Sequence, residues 1–480
     1  MHVRFDPPGR FRSLDEFAST WRQFDPSATL RELPGDGGAL GSPIRIGDRE
    51  LRNRFACQPM EGWDGTADGR PGELTLRRWR NFGRSGAALI WGGEAYAVLA
   101  DGRANPAQLC RETSDDPLRD LVALREAAMC GVRESGREPT DVLLGLQLTH
   151  SGRFARPLGV PAPRIAAPHP ALARKYPFLT GAHVLSDEEL EGIAAAFVAS
   201  AELAEAAGFD FVDVKCCHGY LLHELLGARD RDGRYGGDFS GRTRLLRTIV
   251  AAIAVECPGL GIGVRLSVAD TAPYEADPDT RIGRAMAVEL PYRGGFGVDA
   301  QEPTRFDLRE PVDLIGSLAR EGVTLWNLSL GSPYTNPHLQ RPAAYPPSDG
   351  YLPPLDPLAC VVEHLRVVRE VRAAVPDVVL VGSGYTYLQE WLAHVGEAEV
   401  ARGNVDFVGL GRMLLSHPDL PAHVLSGRAP DRRRICRTFS DCTTAPRNGM
   451  VSGCYPLDPF YRAREEAARV RALREGGQGS

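Results

Sequence analysis

Residues that could do chemistry gather at a few short stretches of this chain. Lys215, His218 and Tyr220 bring an ammonium, an imidazole and a phenol within six positions. Two glycine-rich turns, Gly382-Ser383-Gly384 and Gly409-Leu410-Gly411-Arg412, each precede a helical pattern. Backbone N–H groups of such turns can cradle a phosphate, and Arg412 can fork onto its oxygens. Glycine also closes ordinary strand-to-helix turns, so the turns by themselves leave both readings open. With a phosphate turn nearby, Lys215 suits a Schiff-base lyase or aldolase as well as a charge-holding role. A third group, Cys436, Cys442 and Cys454, is separated by five and eleven residues.

Elements must position these groups, and the sequence supplies them in alternation. Short apolar runs at 55–57, 87–91, 143–148, 211–215, 261–266, 324–328, 378–381 and 405–409 read as strands buried on both faces. Helical patterns separate them. Ser186-Asp187-Glu188-Glu189 is a capping box opening a helix to about residue 207, and 243–256 and 356–375 read similarly. Eight such strands predict an α/β fold, a (β/α)8 TIM barrel, although a doubly wound sheet shares the local grammar. Chemistry in a barrel sits at the C-terminal ends of strands, where all the groups above fall except the cysteines.

Three stretches exceed a minimal barrel. Residues 1–40 form an N-terminal extension with one helical pattern at 13–24, ahead of a barrel spanning 41–428. Residues 270–310 are an insertion after the fifth strand, long enough for a lid or substrate loop. Residues 429–480 form a C-terminal segment carrying the three cysteines. Substrate choice is expected to be written in the insertion and in the first 50 residues.

The strand-end motifs resemble those of the Old Yellow Enzyme group, the NADH:flavin oxidoreductases. The likeness rests on Pro59-Met60, on Gln147-Leu148 with His150 and Gly152-Arg153, and on Asp213-Val214 before His218-Gly219-Tyr220. It continues through Tyr235-Gly236-Gly237 with Arg242, Val264-Arg265-Leu266-Ser267 and Gly409–Arg412, in family order across roughly residues 40–425. The resemblance implies an FMN barrel, with NAD(P)H as electron donor and reduction of an activated C=C bond as the default activity. It implies phosphate contacts from Gly382, Ser383, Gly384, Gly411 and Arg412. Backbone at Pro59, Met60, Glu61 and Ala95, with the Gln147 side chain, would meet the ring's polar edge, and Arg265 its N1/C2 side.

Family members hold the substrate carbonyl with a His and a His or Asn three residues apart. His218 keeps that pattern and Lys215 departs from it, which suits a carboxylate, phenolate or enolate, unless Glu61 or Glu94 pairs with the lysine. Tyr220 falls at the family's proton-donating tyrosine, and Tyr334 and His338 are second candidates. The dienoyl-CoA reductase branch carries four cluster-binding cysteines near the positions of Cys436, Cys442 and Cys454. Phe439 stands at or beside the position of the missing one. Ser440 or Asp441 could substitute, but clusters normally take four thiolates, so no metal is expected.

Composition agrees with a globular enzyme. The chain has 480 residues, 43% hydrophobic and 25% charged, with a net charge of −6. That balance excludes a basic nucleic-acid binder and favours small-molecule partners. The start lacks a signal peptide and no apolar run reaches the ~20 residues of a membrane span, so a cytoplasmic enzyme is expected, with homo-oligomerisation left open. The alternatives are a dehydrogenase or demethylase, in which substrate reduces the flavin, and the flavin-free lyase using Lys215.

Overall fold

The computed structural model describes residues 4–35 and 37–476. Eight parallel strands close on themselves: β1 Phe55–Cys57, β2 Leu89–Ile90, β3 Leu143–Thr149, β4 Phe211–Val214, β5 Gly261–Ser267, β6 Leu325–Ser329, β7 Val379–Gly382 and β8 Phe407–Leu410. Closure is made by β8 on β1, with Val408 opposite Phe55 and Leu410 opposite Cys57. All eight apolar runs of the sequence are therefore strands, and the ring of helices identifies the (β/α)8 barrel.

Helices follow each strand, and their starts obey local capping chemistry. They are α1 Glu73–Arg84, α2 Pro117–Glu134, α3 Asp187–Ala206, α4 Phe239–Glu256, α5 Arg309–Arg320, α6 Pro357–Ala374 and α7 Leu392–Ala401, then the short α8 Arg412–Ser416. At α3 the Ser186 hydroxyl accepts from Glu189 N–H at 3.2 Å while Glu189 accepts from Ser186 N–H at 2.7 Å. Both exchanges satisfy amides that would otherwise be orphaned. The helix expected at 243–256 starts four residues earlier, because the Asp238 carboxylate caps it through Gly241 N–H at 2.7 Å.

The barrel floor is filled by side chains rather than open. Trp91 and Phe211 meet edge to face at 5.3 Å, packed with Leu89, Leu143, Leu325, Val381 and Phe407. Each such ring or branched chain contributes about 1.5–3 kcal/mol of apolar burial. The hairpin Ile44–Ile46/Arg49–Leu51 packs on this cluster and stoppers the N-terminal end. Strand β2 is interrupted after Trp91: Gly93 takes φ 40°, where a Cβ would lie 2.8 Å from the Trp79 ring. Beyond that kink Ala95–Ala97 resumes pairing along β3.

The three additions settle in different places. The N-terminal helix Leu14–Phe24 stacks Phe17 on Trp391 at 5.4 Å, and Asp25 pairs with Arg369 at 2.8 Å on α6. Those contacts lie on the outside of the barrel, and none of the described residues among the first 50 lines the cavity below. The insertion forms a hairpin, Tyr274–Ala276/Gly283–Ala285, that reaches the cavity. The C-terminal segment folds as α9 Asp441–Arg447 and α10 Glu466–Gly476 around Ala445, Met450, Tyr455, Tyr461 and Val470. It is tied to the barrel by Arg77–Asp458 at 2.9 Å and by Trp63 N–H donating to Ser452 at 3.0 Å. Among the described residues no helix is long and apolar enough to cross a membrane.

Candidate active site

A cavity of about 700 Å³ opens at the C-terminal ends of the strands. Its walls bring together Pro59, Met60, Glu61, Gln147, Lys215, His218, Tyr220, Arg265, Tyr334, Ser383, Gly384, Gly411 and Arg412. Residues more than 350 positions apart thus share one space. Two expected members are not among them. Ala95 spends its N–H on the Glu94 carboxylate at 3.1 Å and its carbonyl on Gln108 at 2.6 Å. Gly382 stands behind the wall, its carbonyl accepting from Gln58 at 3.2 Å.

One end of the cavity is cationic and unsatisfied. Gly384, at φ 92°, and Gly411 make its turns, and Arg412 donates to Pro342 carbonyl at 2.9 Å through Nη2. Arg412 Nη1 and Arg341 Nη2 are buried with no partner. Burial and the neighbouring Arg447 and Arg412 charges push Arg341 down to about 9. Two crowded guanidiniums with idle donors are suited to an anion. Gln58 braces the turns, bonding Ser383 Oγ at 3.2 Å and accepting from Asn327 at 2.7 Å. A Cβ on Gly409 would lie 2.0 Å from that amide, so β8 must be bare there.

The middle is held by Arg265, which is 7% exposed and donates to Pro59 carbonyl at 3.1 Å. Its Nε is buried without a partner. Beneath it the Asp213 carboxylate accepts from Arg265 N–H at 2.7 Å and from Gln147 at 2.5 Å. Burial raises Asp213 to about 6. The 59–61 loop is pinned by Arg78, which reaches Met60 and Gly93 carbonyls and pairs with Asp64 at 2.9 Å and Glu94 at 2.5 Å.

The end of β4 is the opposite case, rich in side chains that satisfy one another. His218 and Gly219 are both left-handed, at φ 65° and 76°, a strained pair that turns the imidazole into the cavity. Ser267 Oγ accepts from His218 N–H at 3.0 Å, and Ser332 Oγ donates to His218 carbonyl at 2.8 Å. His218 Nε2 meets Gln340 Nε2 at 3.3 Å and Ser329 Oγ at 3.1 Å. Burial, first, and the nearby Arg265 and Lys215 charges hold this histidine neutral. Because the Gln340 amide donates, the ring proton belongs on Nδ1.

Tyr220 donates to Glu61 Oε2 at 2.6 Å and lies 3.3 Å from the Tyr334 hydroxyl. Burial and the Glu61 charge push its phenol well above the usual tyrosine range. Tyr334 stacks on Phe154 at 3.8 Å. Lys215 is 6% exposed, and its ammonium sits 4.0 Å from the Tyr220 ring centre. Among the described residues its ammonium has no hydrogen bond or ion pair: Glu94 is taken by Arg78 and Glu61 by Tyr220. Burial pulls its pKa down.

Second-choice and cysteine positions are placed as follows. His338 stands behind the cavity wall, bonded at 2.7 Å to the hydroxyl of Tyr351, which lines it. Cys442 lines the cavity, and burial raises the Cys436, Cys442 and Cys454 thiols. The three sulfurs do not converge to metal-ligand spacing; among the described residues only His417, Asp419 and His423 do. There Arg434 already holds the carboxylate, at 2.5 Å, and His417 Nε2 accepts from Asp431 N–H at 3.2 Å. That contact leaves the ring proton, rather than a lone pair, facing Asp419.

Sequence reasoning missed the bracing by Gln58, the bond of Glu61 to Tyr220 rather than to Lys215, and Arg341. Each acts on a residue far away in the chain, and none stands in a motif of its own.

Comparison with known proteins identifies this architecture. The profile of the NADH:flavin oxidoreductase / NADH oxidase family matches residues 39–290. An NADPH dehydrogenase of Bacillus subtilis (strain 168) is 31% identical over 251 residues, 51% of this chain and 68% of its own length. Among solved structures, 2-naphthoyl-CoA reductase superposes with a TM-score of 0.65 at 16% identity, covering 88% of this chain and 57% of that one. Morphinone reductase in complex with tetrahydroNAD gives 0.55 at 22% identity, covering 82% and 92%. At these identities the two structures speak for the fold.

Proposed function

The chain belongs to the NADH:flavin oxidoreductase / NADH oxidase family, an FMN-dependent NAD(P)H oxidoreductase by that membership, and from this premise we propose that it reduces an activated C=C bond of a small organic acceptor. The residues present suit FMN. The buried, partnerless donors of Arg341 and Arg412 answer to its phosphate, and the idle Nε of Arg265 to the electron-rich edge of its ring. When bound, FMN supplies a centre that accepts hydride from NAD(P)H and gives it up to the acceptor.

The protein's own groups do the rest. Arg265 offsets negative charge at the ring edge, with its backbone anchored by Asp213. Lys215 and the His218 Nδ1–H orient the polarising group of the acceptor. Tyr220 stays protonated at neutral pH and gives its proton to the carbon next to the one receiving hydride. In the resting site Glu61 holds that hydroxyl in place. Overall, one hydride from NAD(P)H and one proton from Tyr220 saturate the double bond; NAD(P)⁺ leaves, and solvent restores the phenol.

The observation that carries this reading is the convergence of an anion end, a ring-edge arginine and a phenol on one cavity. The test is direct. Purified protein should be yellow with one FMN per chain, and NAD(P)H should bleach it without oxygen. A colourless protein that ignores added FMN overturns the reading.

A further inference from the structure

Many cations line the cavity, and most are engaged or exposed: Arg77, Arg78 and Arg447 pair with carboxylates, Lys175 donates to the Tyr274 and Tyr334 carbonyls, and Arg156 and Arg281 lie at the exposed rim. Arg341 and Arg412 suit a phosphate and Arg265 the ring edge, which leaves Lys215. Its side chain is 6% exposed, and its ammonium faces the cavity with no carboxylate within salt-bridge distance among the described residues. Glu61, the nearest acid in the wall, is turned to the hydroxyl of the tyrosine whose face Lys215 covers. An ammonium that loses its water when a ligand fills the cavity needs a counter-ion from that ligand, so the resting site holds half of an ion pair.

The surroundings define the missing half. His218 is neutral and Tyr220 and Tyr334 are un-ionised phenols, so what the Tyr220 face presents is one unpaired ammonium, which matches a monoanion better than a phosphate. Phe154, Tyr220 and Tyr334 make flat aromatic walls, which suit a planar conjugated body and strengthen the pair by excluding water. We propose that the acceptor is an unsaturated carboxylic acid whose carboxylate pairs with Lys215. This rests on the reductase reading above. Hydride addition beside a carboxylate would otherwise gather a second negative charge, and the lysine offsets it.

The test uses the FMN-loaded protein and the isosteric pair cinnamate and cinnamamide, with binding read from the flavin spectrum. Flavin content and bleaching by NAD(P)H are recorded first on the same sample. Cinnamate should bind about tenfold or more tighter than the amide, the usual advantage of a charge-assisted contact. Lys215→Met should bring the two within about twofold, and Lys215→Arg should restore the preference. A yellow, reducible protein that binds the amide as well as the acid overturns this inference and leaves the reductase reading intact. So does a Lys215→Met protein that keeps the preference. A protein that holds no FMN overturns both. Should neither variant fold, the wild-type comparison decides the matter.

Discussion

The two ends of the cavity are built on opposite principles. At the β7–β8 end the wall is bare glycine backbone and arginines, and buried donors stand idle. At the β4 end side chains satisfy one another, Tyr220 with Glu61 and His218 with Gln340 and Ser329. An end with unmet donors is shaped for a constant ligand that completes it. An end whose reactive groups are mostly partnered, with Lys215 and the Gln340 amide oxygen as exceptions, is shaped for chemistry on something that comes and goes. The contrast teaches that cofactor retention and turnover are separable here, and each can be broken alone.

The largest effect should come from Tyr220→Phe. Reoxidation by the acceptor should slow by about 10²–10⁴-fold, the range for a positioned acid, while bleaching by NAD(P)H stays nearly unchanged. Stopped-flow of the two half-reactions reads both; equal slowing of the two would assign the tyrosine to positioning both ligands. Next, Arg412→Ala should weaken FMN by about 1.5–3 kcal/mol, measured by equilibrium dialysis. Arg341→Ala should cost less, because relieving the crowding of two guanidiniums returns part of the lost attraction. Fluorescence titration of released FMN at low and high salt distinguishes the two variants.

The smallest effect lies outside both ends and serves as the control. Asp25 is held below the usual carboxylate range, where hydrogen bonds and the charge of Arg369 outweigh its burial. A depressed carboxyl contributes stability that is present above its unfolded pKa, near 4, and lost as pH falls through the folded value. Asp25→Asn should therefore cost about 1 kcal/mol or less at neutral pH, a difference that shrinks once the pH falls below about 4 and is lost below the lowered folded value. Thermal melts across that range check it, with FMN retention unaffected.

Much of this was legible in the sequence, for local reasons. Each barrel strand is a short apolar run, and the Ser186–Glu189 capping box marks its helix with no tertiary help. The glycine turns and Arg412 were visible because backbone geometry limits which residues can stand there. What escaped depends on distant packing. The Glu61 carboxylate finds Tyr220 across 159 positions, which no local pattern encodes. The C-terminal segment reads as a cysteine-bearing tail, yet Arg77–Asp458 folds it onto α1 and makes Cys442 and Arg447 cavity wall. The N-terminal extension reads as a candidate for substrate choice, yet Phe17 and Trp391 hold it on the outer surface.

The separation of the two ends is tested most directly by measuring FMN per chain after gel filtration of Arg412→Ala beside Lys215→Met. The account predicts one FMN per chain in the wild-type protein and in Lys215→Met, with most of it lost from Arg412→Ala. Equal loss from both variants, or full retention by Arg412→Ala, would contradict it.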